Sequence, residues 1–120
     1  MFIRMWHSFS SAGRGLKQIF VSEPNFRLQV LLGLVVLVLS WYFPLKNWER
    51  ILMIILVMAV LVMEILNSTF EYLSDLLKPR LHHYVRTIKD IMAGGVLLTA
   101  VGAAVIGLMI FVPYFLQVWK

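Results

Sequence analysis

In this 120-residue chain, Glu64, Asn67, Glu71 and Asp75 recur at spacings of three and four. They continue directly from the apolar run Ile51–Met63, so they extend the same helix. At about 100° per residue, the last three lie roughly −60°, −20° and +20° around the axis from Glu64. Three carboxylic acids and an amide therefore share one narrow face, in a stripe roughly 16 Å long at helical rise. Two carboxylates can hold Mg²⁺, which favours a few carboxylates together with substrate phosphates. A third, partly desolvated carboxylate can take a hydroxyl proton as general base. Basic residues nearby would offset phosphate charge. The residue types suit phosphoryl transfer.

Each position also has a plainer reading. With the helix starting at Trp48, Glu64 lies about 24 Å along it, several Å inside a hydrocarbon core about 30 Å thick. An ionised carboxylate at that depth costs on the order of 2–3 kcal/mol or more. A lone intramembrane Glu can be protonated, or hydrogen-bonded across helices, and serve assembly alone. Asn67 and Glu71 on the same face favour chemistry. Asp75 by itself reads as a solvated helix end, and Lys78 on the same face could pair with it, worth little if exposed.

Lys89-Asp90 opens the third apolar run. It reads as an Asp favoured by the helix dipole beside a snorkelling Lys. Followed by Ala93-Gly94-Gly95, it also places charge beside bare backbone that a nucleotide phosphate can approach. His82 and His83 read as solvated loop residues, and His7 as an interfacial one. Gly13-Arg14-Gly15-Leu16-Lys17 does not fit the G-x-x-x-x-G-K-[ST] phosphate loop, so a nucleotide site must be assembled between helices.

The elements that must position these residues follow from composition. With 61% apolar and 14% charged residues and a mean hydropathy of +0.85, the chain reads as an integral membrane protein. It forms a single membrane domain over residues 1–120, with no room for a separate soluble catalytic domain. Cysteine is absent, which removes disulfides and thiolate metal sites. The basic residues behind the net charge of +5 flank apolar runs, so they fit topology and not nucleic-acid binding. Gly and polar residues interrupt the amino-terminal segment, which argues against a cleaved signal peptide.

Residues 1–21 form an amphipathic interfacial helix, with Phe2, Trp6, Phe9, Gly13, Leu16 and Phe20 on its apolar side. Ser22-Glu23-Pro24-Asn25 breaks it, and Pro24 suits the first turn of the next helix. The spans are expected at 26–43, 48–77 with a polar extension, and 90–116, joined by a tight turn at Pro44–Asn47 and a wet basic connection. Gly and Ala in the third span permit close helix approach. Eight basic residues (Arg4, Arg14, Lys17, Arg27, Lys78, Arg80, Arg86 and Lys89) lie on one side, against Lys46, Arg50 and Lys120 on the other. That asymmetry predicts an all-α fold with N-in/C-out orientation. Five of the six acids, Glu23, Glu64, Glu71, Asp75 and Asp90, fall at the cytoplasmic side.

Glu64-Ile-Leu-Asn67-Ser68-Thr-Phe-Glu71, with Asp75 four residues on, resembles the E-x-x-N-[ST]-x-x-E-x-x-x-D signature of the prokaryotic diacylglycerol kinase family, which includes the undecaprenol kinases. Lys89-Asp90-Ile-Met-Ala93-Gly94 resembles its second block, and Glu23-Pro-Asn25-Phe26-Arg27 its first. The resemblance implies a homotrimeric lipid kinase of the bacterial cytoplasmic membrane, with composite sites between subunits that face the cytoplasm. It implies Glu64 as catalytic base, and Glu23 and Glu71 as Mg²⁺ ligands. It further implies Arg4, Arg14, Glu23, Asn67, Glu71, Asp75, Lys89 and Asp90 at an ATP site, with Glu64 and Asn67 facing the lipid alcohol. The Asn25-Phe26-Arg27 and Ala93-Gly94-x-Val-Leu segments look closer to undecaprenol kinases, so undecaprenol is favoured over diacylglycerol. An oligomeric proton or ion conductor using Glu64 is the competing class, and Ile51–Met63 offers it no polar path.

Overall fold

The computed structural model describes residues 1–77, 80 and 82–119. They form four helices in chain order, α1 (Phe2–Ser22), α2 (Pro24–Tyr42), α3 (Asn47–Leu77) and α4 (His82–Trp119). The last three are long and apolar enough to cross a membrane, and the fold is an all-α membrane fold. Helix α3 packs against both α2 and α4, while α1 contacts α2.

Helix α1 runs unbroken through Gly13 and Gly15. Its Phe2, Trp6, Phe9, Leu16 and Phe20 are exposed, as an interfacial helix requires. Only Ile19 is buried on it. Glu23 ends α1 in an extended conformation (φ −115°, ψ 106°) and also caps α2. Pro24 occupies the first turn of α2, where its fixed φ is pre-set for a helix and its missing N–H costs nothing. For that reason α2 starts two residues before the expected position 26. Arg27 reaches back across the break and donates to the carbonyls of Phe20 (2.9 Å) and Val21 (2.7 Å). Those groups belong to the last turn of α1, where helical partners run out.

At the opposite end of α2 a polar knot joins three helices. Arg50 donates to the Ser40 carbonyl at 2.9 Å and the Phe43 carbonyl at 3.3 Å, and its guanidinium lies 4.8 Å from the centre of the Trp41 ring. Glu49 accepts from the Lys46 amide at 2.9 Å and from the Tyr114 hydroxyl of α4. Beneath the knot sits a buried cluster of Phe43, Leu45, Met53 and Ile110. Helices α2 and α3 approach closely at Gly33, where an added Cβ would lie 2.8 Å from Val57 Cγ1.

Helix α4 differs from expectation at its start. The basic segment expected as a wet connection is helical from His82 onward, and the helix does not wait for residue 90. No Gly or Pro lies between His82 and Met92, and Val85, only 1% exposed, anchors the first turn. His82 and His83 are therefore helical residues, not loop residues. Asp90 lies well inside α4, so the dipole reading of Lys89-Asp90 at a helix start does not apply. The helix also continues through Pro113 and past the expected end at 116, reaching Trp119. Lys78 and Pro79, which were to stop the second span, and Lys120, counted for orientation, lie outside the described residues, as does the expected Lys78–Asp75 pair.

Candidate active site

Helix α3 is one uninterrupted helix from Asn47 to Leu77, so the stripe keeps its helical geometry across the apolar-to-polar boundary. Burial falls along it. Glu64 is 7% exposed, Asn67 is half-buried, and Glu71 and Asp75 are exposed. The Asn67 amide donates to Glu71 Oε1 at 3.5 Å, one turn on, orienting the carboxylate from the buried side. Ser68 and Ser74 are nearly fully buried, at 3% and 2% exposure. Small side chains there let neighbouring helices close over α3.

Glu23 arrives from a different element. As the single extended residue between α1 and α2, it is half-buried and faces α3. The Glu64 carboxyl is buried, and Glu23 and Glu71 are charged neighbours of it. Three acids thus stand near one buried position. No three acidic or histidine side chains converge tightly enough to enclose a metal by themselves among the described residues. Two open carboxylates with hard oxygen donors fit Mg²⁺, which leaves most of its coordination to water and phosphate.

Asp75 is paired from the neighbouring helix, with Lys89 Nζ 3.6 Å from its Oδ1. The other residues expected at the nucleotide lie apart within this chain. Arg14 donates to Ser11 Oγ on its own helix at 3.1 Å. Arg4 flanks a surface notch with Met1, Met5 and Ser8. Asp90 is exposed.

Two grooves lie between α1 and α3, one after the other along α3, beside the acidic stripe, and they share Leu16 and Ile65. One is apolar, lined by Leu16, Phe20, Phe26, Leu61, Val62 and Ile65. The other carries polar groups, with Gln18, Ser68, Thr69 and Tyr72 beside Gly15 and Ile19. Sequence spacing did not single out Tyr72, whose hydroxyl lies 3.3 Å from Ser22 Oγ, nor the capping role of Arg27. Tyr72 lies about 100° from Glu71 on the helical wheel, outside the acidic stripe, and the contact depends on where α1 folds back.

Residues 10–111 match the family described as prokaryotic diacylglycerol kinase. The chain is 32% identical over 110 residues to an undecaprenol kinase of Bacillus subtilis (strain 168), covering 92% of this chain and 89% of that protein. A diacylglycerol kinase of Synechocystis is 31% identical over 110 residues, covering 88% of this chain and 61% of that protein. The diacylglycerol kinase of Escherichia coli (strain K12) is 27% identical over 104 residues, covering 87% and 85%.

Proposed function

The chain belongs to the prokaryotic diacylglycerol kinase family, and from that premise we propose that it transfers the γ-phosphate of ATP to a lipid hydroxyl. Undecaprenol is the favoured acceptor, giving undecaprenyl phosphate; diacylglycerol, giving phosphatidic acid, is the alternative. The observation that carries this reading is the buried Glu64, 7% exposed, with Glu23 and Glu71 as its charged neighbours. Placing like charges together at a buried position is costly, and a proton-accepting role gives that cost a use.

On this reading Glu64 takes the proton of the lipid hydroxyl as its oxygen attacks the γ-phosphorus. The bond from that phosphorus to the bridging oxygen breaks, and ADP leaves with the bond's electrons. The apolar groove of Leu16, Phe20, Phe26 and Leu61 takes the first part of the lipid chain, leaving the hydroxyl beside Glu64. Asn67 orients Glu71 and faces the acceptor. Glu23 and Glu71 would hold Mg²⁺, whose chemistry is neutralisation of phosphate charge. Lys89, with Asp75 and Asp90, serves the nucleotide at the polar end of the stripe.

Among the described residues, Arg4 and Arg14 bond to or line only their own helix α1 within one chain, which supports sites completed between the subunits of a homotrimer. The excess of basic residues beside the acids supports an N-in/C-out arrangement in the bacterial cytoplasmic membrane, with the site on the cytoplasmic face.

The test is incubation of the purified protein with γ-labelled ATP, Mg²⁺ and a total lipid extract. Label is expected in a polyprenol fraction. Label in phosphatidic acid alone would replace undecaprenol by diacylglycerol. No labelled lipid, together with proton flux into liposomes without ATP, would overturn the kinase reading.

A further inference from the structure

The single residue that separates α1 from α2 is Glu23, and an isolated extended residue between two helices is a pivot. Two contacts restrain it. Arg27 fastens the far side of the break by donating to the Phe20 and Val21 carbonyls. Ser22 fastens the near side, and its bonding can be assigned atom by atom. Ser22 Oγ lies 2.7 Å from the Gln18 carbonyl, which can only accept, so the serine proton is spent there. Its lone pairs remain, and Tyr72 Oη at 3.3 Å must therefore be the donor.

The Tyr72–Ser22 bond spans 50 residues of sequence, and its two ends are the immediate neighbours of the two open carboxylates. Ser22 precedes Glu23, and Tyr72 follows Glu71. It is the one hydrogen bond between the end of α1 and α3 among the described residues. We infer that Tyr72 is a positioning residue that fixes the separation of the Glu23 and Glu71 carboxylates, with Arg27 holding the pivot from the other side. This rests on the reading of those two carboxylates as a shared divalent-cation site. Tyr72 does not touch the reacting atoms on this account, since its proton is committed to α1, and Arg27 acts through the two bonds that its Nη1 makes to the last turn of α1.

The test uses the full-length protein in detergent or nanodiscs. Tyr72→Phe and Ser22→Ala each remove one partner, and the double variant removes both. Loss of one neutral hydrogen bond is expected to weaken Mn²⁺ binding, followed by electron paramagnetic resonance with a non-hydrolysable ATP analogue present, by about fivefold. The Mg²⁺ concentration for half-maximal activity should rise by the same factor, with kcat and thermal midpoint close to wild type. The double variant should be no weaker than either single one, as for two halves of one bond. Arg27→Lys, which keeps a donor, should retain binding that Arg27→Ala loses.

Wild-type Mn²⁺ affinity in Tyr72→Phe, or fully additive single effects, would overturn the inference. A lowered kcat with unchanged Mg²⁺ dependence would overturn it too. Failure of the kinase reading is distinguishable, since it would show as a wild-type protein that labels no lipid. The chain has no cysteine, so spin labels at introduced cysteines in α1 and α4 would still report whether Tyr72→Phe broadens the distance between them.

Discussion

Lys89 of α4 lies 3.6 Å from the carboxylate of Asp75 on α3, so the last acid of the stripe is met by a neighbouring helix. Both side chains are partly exposed, at 35% and 65%, so the pair contributes little to stability. Its value lies in register, because it holds the start of α4 beside the polar end of the stripe.

Replacing Asp75 by Asn should therefore lower stability by no more than about 1 kcal/mol, while raising the KM for ATP several-fold through misplacement of Lys89. Thermal unfolding and steady-state kinetics on one preparation separate the two. An unchanged KM would return Asp75 to the role of a solvated helix end.

Glu64→Gln keeps the shape of the buried side chain and removes its basicity. Turnover should fall by roughly 10²–10⁴-fold, with retained helicity and unaltered elution on size exclusion. Activity near that of the wild type would exclude Glu64 as the base.

At Glu71 the same exchange spares the acceptor for Asn67 and removes a charge at the cation site. The Mg²⁺ requirement should rise about tenfold, the scale of one charge-assisted interaction. Titration of activity against Mg²⁺ at saturating ATP checks it, and an unchanged curve would remove Glu71 from the ligand set.

Gly33 tests the packing that brings α2 to α3. An added Cβ would lie 2.8 Å from Val57 Cγ1, closer than such atoms approach, so Gly33→Ala should cost about 1–3 kcal/mol. Helix propensity works the other way by up to about 1 kcal/mol. Val57→Ala added to Gly33→Ala should recover most of the loss in reversible unfolding. Recovery that fails would place the strain elsewhere.

At the knot, Tyr114→Phe removes the donor to Glu49, a carboxylate 8% exposed. Among the described residues Glu49 keeps only the Lys46 amide as donor, and the loss is expected as a lowered unfolding midpoint with Mg²⁺ dependence unchanged.

The acidic stripe was legible because one helix carries all four members, and helical periodicity alone aligns them. Glu23 was legible as a junction residue from Pro24, although its approach to Glu64 depends on how α1 and α2 pack. The start of α4 was not. Arg80, His83, Arg86 and Lys89 look like a solvated linker by charge, yet helix formation needs only the absence of breakers and an anchor, which Val85 supplies. Tyr72 and Arg27 escaped notice because their contacts reach backbone or a residue far away in sequence. Glu49 stands beside Arg50 in the sequence, and nothing local announces that Tyr114 will reach it.

The distribution of contacts gives the bundle a mechanical character. The polar knot of Arg50, Glu49 and Tyr114, over the Phe43–Ile110 cluster, clamps one end of the helices, whereas at the other end the exposed contacts Tyr72–Ser22 and Lys89–Asp75 stand beside the buried Ser74 and Val85. A clamp at one end makes each helix a lever. With α3 roughly 46 Å long at helical rise, a tilt of about 5° at the clamp moves its free end through about 4 Å. Motion about the knot would be largest at the acidic end, and amide exchange should slow steadily from the acids toward the knot.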